Sequence, residues 1–435
     1  MFFRRKNIFA VVLLFIVTVL YPSLFFSEEP KRDVMVITLS GVINPVATEY
    51  IGKSIKIADE KKVEVLVIEL DTPGGLDTSM RKIVKDIIGS EVPVVVYVSP
   101  SGSRAASAGV FITLSAHIAA MAPGTNIGAA HPVGLGEKMD KVMAEKATND
   151  AAAYIKSLAE RNGRNAKWAE DAVRKSISAT EEEALKEGVI DLVSNDLNSL
   201  LSDIDGKKVR TVMGEKVLNT AKANIIREGM GLRHRILNLI SDPNVAYILM
   251  LLGFYGLFFE LTNPGSIFPG VMGGICLILA FYAFQTLPVN YAGLLLIILA
   301  IILFILEVKI ISHGVLTIGG IISMVIGSIM LFESPAPFMK LSLYVILPAA
   351  IITALFFSLT LGLAFKAFKR KPVTGSEGLL GGEGVASTDI TRDGGMVLLH
   401  GERWSAYSDE TIAKGEKIIV ESVSGLKVKV KVKRL

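Results

Sequence analysis

Five apolar runs, at about residues 245–261, 266–287, 290–306, 313–332 and 342–365, follow one another with few charges among them. Most reach the roughly 20 residues that a helix needs to cross a bilayer. A chain in hydrocarbon must satisfy its own N–H and C=O groups, so such runs read as helices. Asn263-Pro264-Gly265, Leu287-Pro288 and Pro335-Ala336-Pro337 make turns between several of them. The first run is short and ends at Glu260. Five spans is the best count, with four or six compatible with the same pattern. The region 240–368 is therefore expected to be an all-α transmembrane bundle.

Charge orients these spans. The last one ends in Lys366-Ala367-Phe368-Lys369-Arg370-Lys371, which belongs on the cytoplasmic side. Five spans back from there places the preceding domain outside. The N-terminus requires the same side from different residues. Arg4-Arg5-Lys6 precede an apolar stretch from Ile8 to Leu20, then Pro22. That is the layout of a secretory signal peptide or a retained signal anchor over residues 1–27, with no clear cleavage site before Ser27-Glu28-Glu29.

Residues 33–200 alternate strand and helix patterns. Val34–Leu39, Val63–Leu70, Val94–Val98 and Ile118–Met121 are nearly continuous apolar runs, the mark of parallel strands buried on both faces. Helical patterns lie between them at 46–61, 76–90 and 106–116, and further ones at Ala147–Arg161 and Lys167–Lys175. Thr180-Glu181-Glu182-Glu183 forms a capping box that opens one more. Residues 200–240 are polar and without a strong period, and read as a tether or surface extension. The expected α/β domain covers 28–235.

After the spans comes a glycine-rich link, Gly375–Gly384, and then strand patterns at Gly395–Leu399, Arg403–Tyr407, Lys417–Val423 and Leu426–Val432. Residues 376–435 are expected to form a small all-β barrel. The strict alternation Lys427-Val428-Lys429-Val430-Lys431-Val432-Lys433 buries one face and leaves lysines on the other. The plain reading is a solvated edge strand that resists aggregation. A nucleic-acid or anionic-lipid patch is the alternative.

Lys and Arg number 46 against 42 Asp and Glu, a net charge of +4, so the balance points to no polyanion and no nucleic-acid partner. A single cysteine, Cys276, excludes an internal disulfide. No Cys/His cluster has metal-ligand spacing, and neither metal nor cofactor is implied.

The chemistry-bearing residues lie in the α/β domain. Arg104-Ala105-Ala106-Ser107-Ala108-Gly109 follows Thr72-Pro73-Gly74-Gly75 in the chain. A serine becomes a nucleophile when a base takes its proton and fixed donors await the oxyanion. Small neighbours let a substrate backbone approach Ser107. Ala108, at a helix start, and Gly75, after a strand and a Pro-Gly turn, are candidate oxyanion donors. The plain reading of Ala-Ala-Ser-Ala-Gly is tight helix–sheet packing. Two residues are candidate bases. Lys146 works only if desolvation favours its neutral form, and a surface lysine is its plain reading. His131, in Gly128-Ala129-Ala130-His131-Pro132, needs no such help, and a loop or core histidine is its plain reading. Spacing does not choose between them.

Asp71-Thr72-Pro73-Gly74-Gly75, then Ser103-Arg104-Ala105-Ala106-Ser107-Ala108-Gly109, then Met121-Ala122-Pro123-Gly124-Thr125-Asn126-Ile127-Gly128 resemble the NfeD family. Those proteins are membrane-bound serine proteases of the ClpP/crotonase superfamily, related to signal peptide peptidase A. The resemblance covers essentially the whole chain, including the spans and Gly401-Glu402-Arg403-Trp404 of the terminal barrel. It implies a ClpP/crotonase-like α/β domain, an OB-like barrel and a Ser–Lys dyad that maps onto Ser107 and Lys146. Asp150-Ala151-Ala152-Ala153 is less apolar than a desolvated lysine calls for, which keeps His131 open. The resemblance further implies a hydrophobic peptide substrate from a stomatin/SPFH-type membrane partner, and Leu135 and Met139 are candidate groove residues. A homo-oligomer is also expected.

Three other classes fit parts of the pattern. A crotonase-like acyl-CoA enzyme shares the fold, but its substrates are cytoplasmic. A non-catalytic scaffold would use the barrel to bind partners. A transporter would carry more polar residues inside its spans than Glu260, Glu307 and Lys309, all near span ends.

Overall fold

The structure is a computed structural model that describes residues 32–134, 140–263, 265–310, 312, 314–334, 339–368 and 376–433. The 1–27 leader, Leu135, Met139 and the basic residues 369–371 lie outside the described residues.

The N-terminal domain is built on β1 (Asp33–Ser40), α1 (Pro45–Lys61), β2 (Val65–Asp71), α2 (Asp77–Ile88), β3 (Val94–Val98), β4 (Arg104–Ala106), α3 (Ala108–Ser115), β5 (Ile118–Met121), β6 (Asn126–Gly128), α4 (Lys141–Arg161), α5 (Ala166–Arg174), β7 (Ser178–Thr180), α6 (Glu181–Lys186), β8 (Leu192–Val193), α7 (Leu197–Asp203), β9 (Lys208–Thr211), β10 (Gly214–Val217) and β11 (Asn224–Arg227). Its main sheet has the order β11-β1-β2-β3-β5-β8, every pair parallel. Successive residues of β1 serve opposite faces. Met35, Ile37 and Leu39 enter one buried cluster, while Val34 and Val36 enter the other. Burial on both faces is why these strands carry no polar alternation. A second sheet, β4-β6-β7, is joined to the first just past β2, where Thr72 bridges Ala105.

Several helices start where local chemistry supplies acceptors. Asn44 caps α1, Asp140 caps α4 and Asn165 caps α5, each side chain accepting from backbone N–H groups of the first turn. The capping box at Thr180 and Glu183 is complete. Helix α4 begins six residues before the expected Ala147, because Asp140 accepts from the N–H groups of Val142 and Met143.

The stretch 200–240 is not a tether. Strand β11 pairs with β1 in register Asp33–Asn224 to Val36–Arg227 and completes the edge of the main sheet. Arg227 also reaches Glu69 on β2, at 2.9 Å. Edge strands are short and polar on their open side, so hydropathy did not reveal this one.

Helix α8 (Leu232–Ile240) leads to α9 (Pro243–Thr262), α10 (Ile267–Phe284), α11 (Tyr291–Lys309), α12 (Val315–Leu331) and α13 (Leu343–Phe368). All five apolar runs are thus helical. On the described residues, α9 and α10 are long and apolar enough to cross a bilayer. They meet backbone to backbone, since a Cβ at Gly273 would lie 2.7 Å from the Gly253 carbonyl oxygen. Small residues at such a crossing are how membrane helices pack. Glu307, near the end of α11, is buried and accepts from Ser312 Oγ and from the N–H groups of Gly314 and Thr317, so its carboxylate caps α12.

The first membrane helix, α9, starts beside the carboxyl ends of β1 and β2, and α10 ends there. Asn44 Nδ2 donates to Asn238 Oδ1 at 3.0 Å, and a cavity of 190 Å³ is lined by Asn44, Leu76, Asn238, Asp242, Leu287 and Met339.

The second compact unit contains the C-terminal barrel. A short helix, α14 (Ser376–Leu379), precedes β12 (Glu383–Ala386), β13 (Gly395–Leu399), β14 (Glu402–Tyr407), β15 (Lys417–Ser424) and β16 (Lys427–Val432). They close in the order β12-β13-β14-β16-β15 around Ile390, Val397, Leu399, Ile418, Val428 and Val430. Strand β12 came from the glycine-rich link, where no strand was expected. Strand β16 is not an edge, because it pairs with both β14 and β15. Two of its lysines are matched by acids, Lys429 by Asp409 and Lys431 by Glu421, as is Lys433 just past its end by Glu383, whereas Lys427 has no ion pair among the described residues. That pairing works against a polyanion patch on this strand.

Candidate active site

Ser107 stands between β4 and α3 with φ 53° and ψ −112°. A β-carbon makes that region costly, by about 1–3 kcal/mol, unless the surroundings over-determine it. Here they do. The Ser107 N–H donates to the Gly128 carbonyl at 3.1 Å, and the Ser107 carbonyl accepts from Val110 N–H at 3.1 Å. All eight residues of α3 are buried. Ser107 itself is half-buried, and its hydroxyl makes no capping bond to the helix. The hydroxyl is thus held at the head of a buried helix without local employment.

The glycine turn abuts it. Thr72, fully buried, accepts from Gly74 N–H through Oγ1 at 3.0 Å. The Gly74 carbonyl accepts from Ile43 N–H at 2.9 Å, and Leu76 N–H donates to the Ile43 carbonyl at 2.8 Å. These bonds strap the turn and leave the Gly75 N–H with no partner among the described residues. The Ala108 N–H, first in α3, has no intrahelical acceptor either. The two glycines are needed for separate reasons. A Cβ on Gly74, at φ 123°, would sit 2.7 Å from Ser107 Cβ and 3.2 Å from its Oγ. A Cβ on Gly75 would sit 2.1 Å from the Ile43 carbonyl oxygen. Gly109 is pressed likewise, 2.7 Å from Thr72 Cγ2. The packing reading of this motif therefore holds.

Lys146 is on the second turn of α4, exposed, and its side chain makes no hydrogen bond or ion pair among the described residues. The desolvation expected of a lysine base is not present in the single chain. Its helix is nevertheless fixed toward the site. Arg81 of α2 donates to Asp77 at 2.8 Å, pairs with Asp150 of α4, and lies 4.5 Å from the centroid of the Tyr154 ring. Tyr154 stacks on Phe111 of α3 with centroids 6.0 Å apart. Lys146, Asp150 and Tyr154 recur every fourth residue and so share one helix face. Asp77 is two residues past Gly75, and Phe111 one turn past Ser107. The face carrying Lys146 therefore packs against the two helices that begin at the glycine turn and at the serine.

His131 is half-buried, with Nδ1 2.9 Å from the Val173 carbonyl of α5. A carbonyl only accepts, so Nδ1 carries the proton and Nε2 is left as a base. No hydrogen bond joins this ring to Ser107. The loop leading to it does touch the serine, through the Gly128 carbonyl.

The structure thus brings Ser107, Ala108, Gly75 and Gly128 into one place and ties the lysine helix to it. Among the described residues no group of three or more His, Cys, Asp or Glu comes together to hold a metal. Arg81, Asp150 and Tyr154 were not legible as a clamp, because 69 residues separate Arg81 from Asp150.

Three family models match the chain: the NfeD1b N-terminal domain over residues 33–226, the NfeD integral membrane domain over 244–363, and the NfeD-like C-terminal, partner-binding domain over 376–431. The membrane-bound protease PH1510 of Pyrococcus horikoshii is 38% identical over 410 residues, covering 91% of this chain and 92% of that protein. The chain belongs to the NfeD family. It is a membrane protein of that family, in agreement with the resemblance read from its glycine and serine motifs. The membrane protein NfeD1b of Bacillus subtilis is 28% identical over 426 residues, covering 93% of this chain and 94% of the relative. A solved NfeD-family structure, a lysine-to-alanine variant of the 1510-N membrane-bound stomatin-specific protease with a substrate peptide, is 38% identical. It covers 49% of this chain and 99% of its own, with a TM-score of 0.46.

Proposed function

We propose that this chain is a membrane-bound serine endopeptidase in which Ser107 is the nucleophile, Lys146 the base, and the Gly75 and Ala108 N–H groups the oxyanion hole. The observation that carries this reading is the Ser107 backbone at φ 53°, held beside a glycine turn whose Gly75 N–H is unspent. Packing alone gives no reason to keep a serine in that conformation, where glycine would be unstrained.

In the proposed reaction the neutral Lys146 amine takes the Ser107 Oγ proton as the oxygen attacks a peptide carbonyl. The two N–H groups hold the tetrahedral oxyanion. The lysine ammonium then protonates the leaving amine. Water attacks the acyl-enzyme, Lys146 takes the water's proton, and Ser107 recovers its own. Loss of solvent around Lys146 is required, and a bound peptide or a second copy of the chain over α4 would provide it. Val142 and Met143, exposed on that helix, suit an apolar cover. A homo-oligomer is part of this proposal.

The proposed substrate is a hydrophobic segment of a stomatin/SPFH-type membrane protein. Stomatin specificity is stated of the solved 1510-N protease, and is extended here to this chain. Three domains follow: a peptidase domain at 28–235 outside the cytoplasm, a multi-span region at 240–368, and a cytoplasmic OB-like barrel at 376–435. A second reading keeps His131 as the base, since its Nδ1–H bond to Val173 leaves Nε2 available.

The test is cleavage of a stomatin-type hydrophobic peptide by the full chain in detergent. Ser107→Ala should abolish turnover and Lys146→Ala should lower it by about 10²–10⁴-fold, the usual worth of a base. His131→Ala should stay within a few-fold of the parent. Undiminished cleavage by Ser107→Ala would end the reading.

A further inference from the structure

A cleft of 700 Å³ opens at the amino ends of the parallel strands, away from Ser107. One wall is His117, which precedes β5. Its N–H donates to the Val94 carbonyl at 3.0 Å, and its Nδ1 accepts from Val94 N–H at 3.0 Å, at the start of β3. The other wall is the β9–β10 hairpin with Lys207, Lys208 and Arg210, and Arg161 at the end of α4 joins them.

Four cations line this cleft, and none makes an ion pair with another described residue. The acid in the lining, Asp191, is already engaged. Its Oδ2 accepts from Arg164 Nη2 at 2.7 Å and from Ala119 N–H at 2.7 Å, and its Oδ1 accepts from Arg164 Nε at 3.4 Å. Asp191 itself opens into the cleft, but its charge is balanced by the buried Arg164, whose side chain is 2% exposed. Neutral His117, with Nδ1 used as an acceptor, carries its proton on Nε2 and adds a donor. Glu215 stands across the hairpin from Arg210 and Asp191 is balanced by Arg164, so the five donors carry an excess of positive charge that a single carboxylate would leave largely unmatched. Guanidinium forks and ammonium groups together suit the oxygens of a multiply charged phosphate. The volume fits a small organic ligand.

We propose that this cleft is a binding site for a small soluble phosphate-bearing anion, held by Arg161, Lys207, Lys208 and Arg210 with His117 as a neutral donor. A lipid headgroup offers the same chemistry from another source, but the fold disfavours it. Helix α9 starts, and α10 ends, beside Asn44 and Leu76, at the carboxyl ends of β1 and β2. The cleft lies at the opposite ends, about 17 Å away along a five-residue strand. Burial, together with Arg161 and Arg164, pushes the His117 imidazole down to about 4, and an anion in the cleft would move it back up. His117 is therefore a built-in reporter.

The experiment is calorimetric titration of the full chain in neutral detergent with pyrophosphate at 0.15 M salt, with the His117 ring signal followed by NMR. Saturable one-to-one binding is expected, with the His117 midpoint moving upward. Arg161→Gln and the double variant Lys207→Gln/Arg210→Gln, on separate elements and at exposed or, for Lys207, half-buried positions, should each weaken binding at least about tenfold. Serine labelling at Ser107 should not change in either variant, so that the cleft and the peptidase reading fail separately. No saturable binding, or variants that bind like the parent, would overturn the proposal. Binding only to phosphatidylglycerol vesicles, or only to an acidic peptide, would overturn it too.

Discussion

Ser107 and Gly74 share one small volume, and that sets the first prediction. Gly74→Ala drives a methyl to 2.7 Å from Ser107 Cβ, so it should remove activity as fully as Ser107→Ala while leaving the membrane helices folded. Circular dichroism beside a cleavage assay checks this. Ser107→Gly should behave oppositely in stability. It relieves a left-handed φ and should raise the domain's stability by about 1 kcal/mol while abolishing activity, as read by thermal unfolding. His117 gives a pH dependence with a definite sign. Its pKa falls to about 4 in the fold, through burial first and then Arg161 and Arg164. The unfolded chain binds this proton near 6.5, so the unfolded state gains protons first as pH drops. Stability from this residue is whole above about 6.5 and is lost as pH falls toward about 4, by about 3 kcal/mol in all. His117→Gln should flatten the thermal-unfolding slope between those values. Ser107 and the glycines could be singled out from sequence as a close-packed small-residue motif, which the contacts at Gly74, Gly75 and Gly109 match. What sequence could not supply was the strain at Ser107 or the solvent around Lys146, since both depend on neighbours far along the chain.

At the scale of elements, α4 is the one whose placement matters most for the proposed dyad. Its hold on the site is the Arg81 guanidinium between Asp77, Asp150 and the Tyr154 ring. Exposed pairs contribute little stability singly, so Arg81→Ala should cost only about 1 kcal/mol. Its effect on peptide turnover should be larger, on the order of tenfold in kcat, because a small displacement of a catalytic group is expensive. Arg81→Lys, without the planar fork, should recover only part of it. Strands β1, β2, β3 and β5 were legible to within about two residues because both faces are apolar. Strands β4, β6 and β11 were not, being three or four residues long and polar on one side. Strand β12 was hidden by glycine, which fits it to a crowded spot. A Cβ at Gly384 would meet the Leu398 carbonyl oxygen at 2.5 Å.

The whole molecule joins a peptidase-like α/β domain to a membrane region at the carboxyl ends of its strands, the end where Ser107 stands. Asn44, Asn238 and the Ile43–Gly75 bridge make that junction continuous with the glycine turn. A hydrophobic segment leaving the bilayer would therefore meet the site with little travel, whereas the basic cleft faces the opposite way. The proposed topology predicts that a cysteine introduced at exposed Lys53 is labelled by an impermeant maleimide in intact cells, whereas one at exposed Glu402 is labelled only after lysis. Family membership and the three-part layout were readable from hydropathy and a few short motifs. The direction in which the cleft opens was not, since it follows from how β9, β10 and His117 assemble in space.

The proposed dyad is tested most directly by fluorophosphonate labelling of the full chain in detergent, with the adduct located by mass spectrometry. One adduct on Ser107 is expected in the parent and in His131→Ala, falling by at least about a hundredfold in Lys146→Ala. An unmodified Ser107 in the parent, or an adduct that survives Lys146→Ala and disappears in His131→Ala, would contradict it.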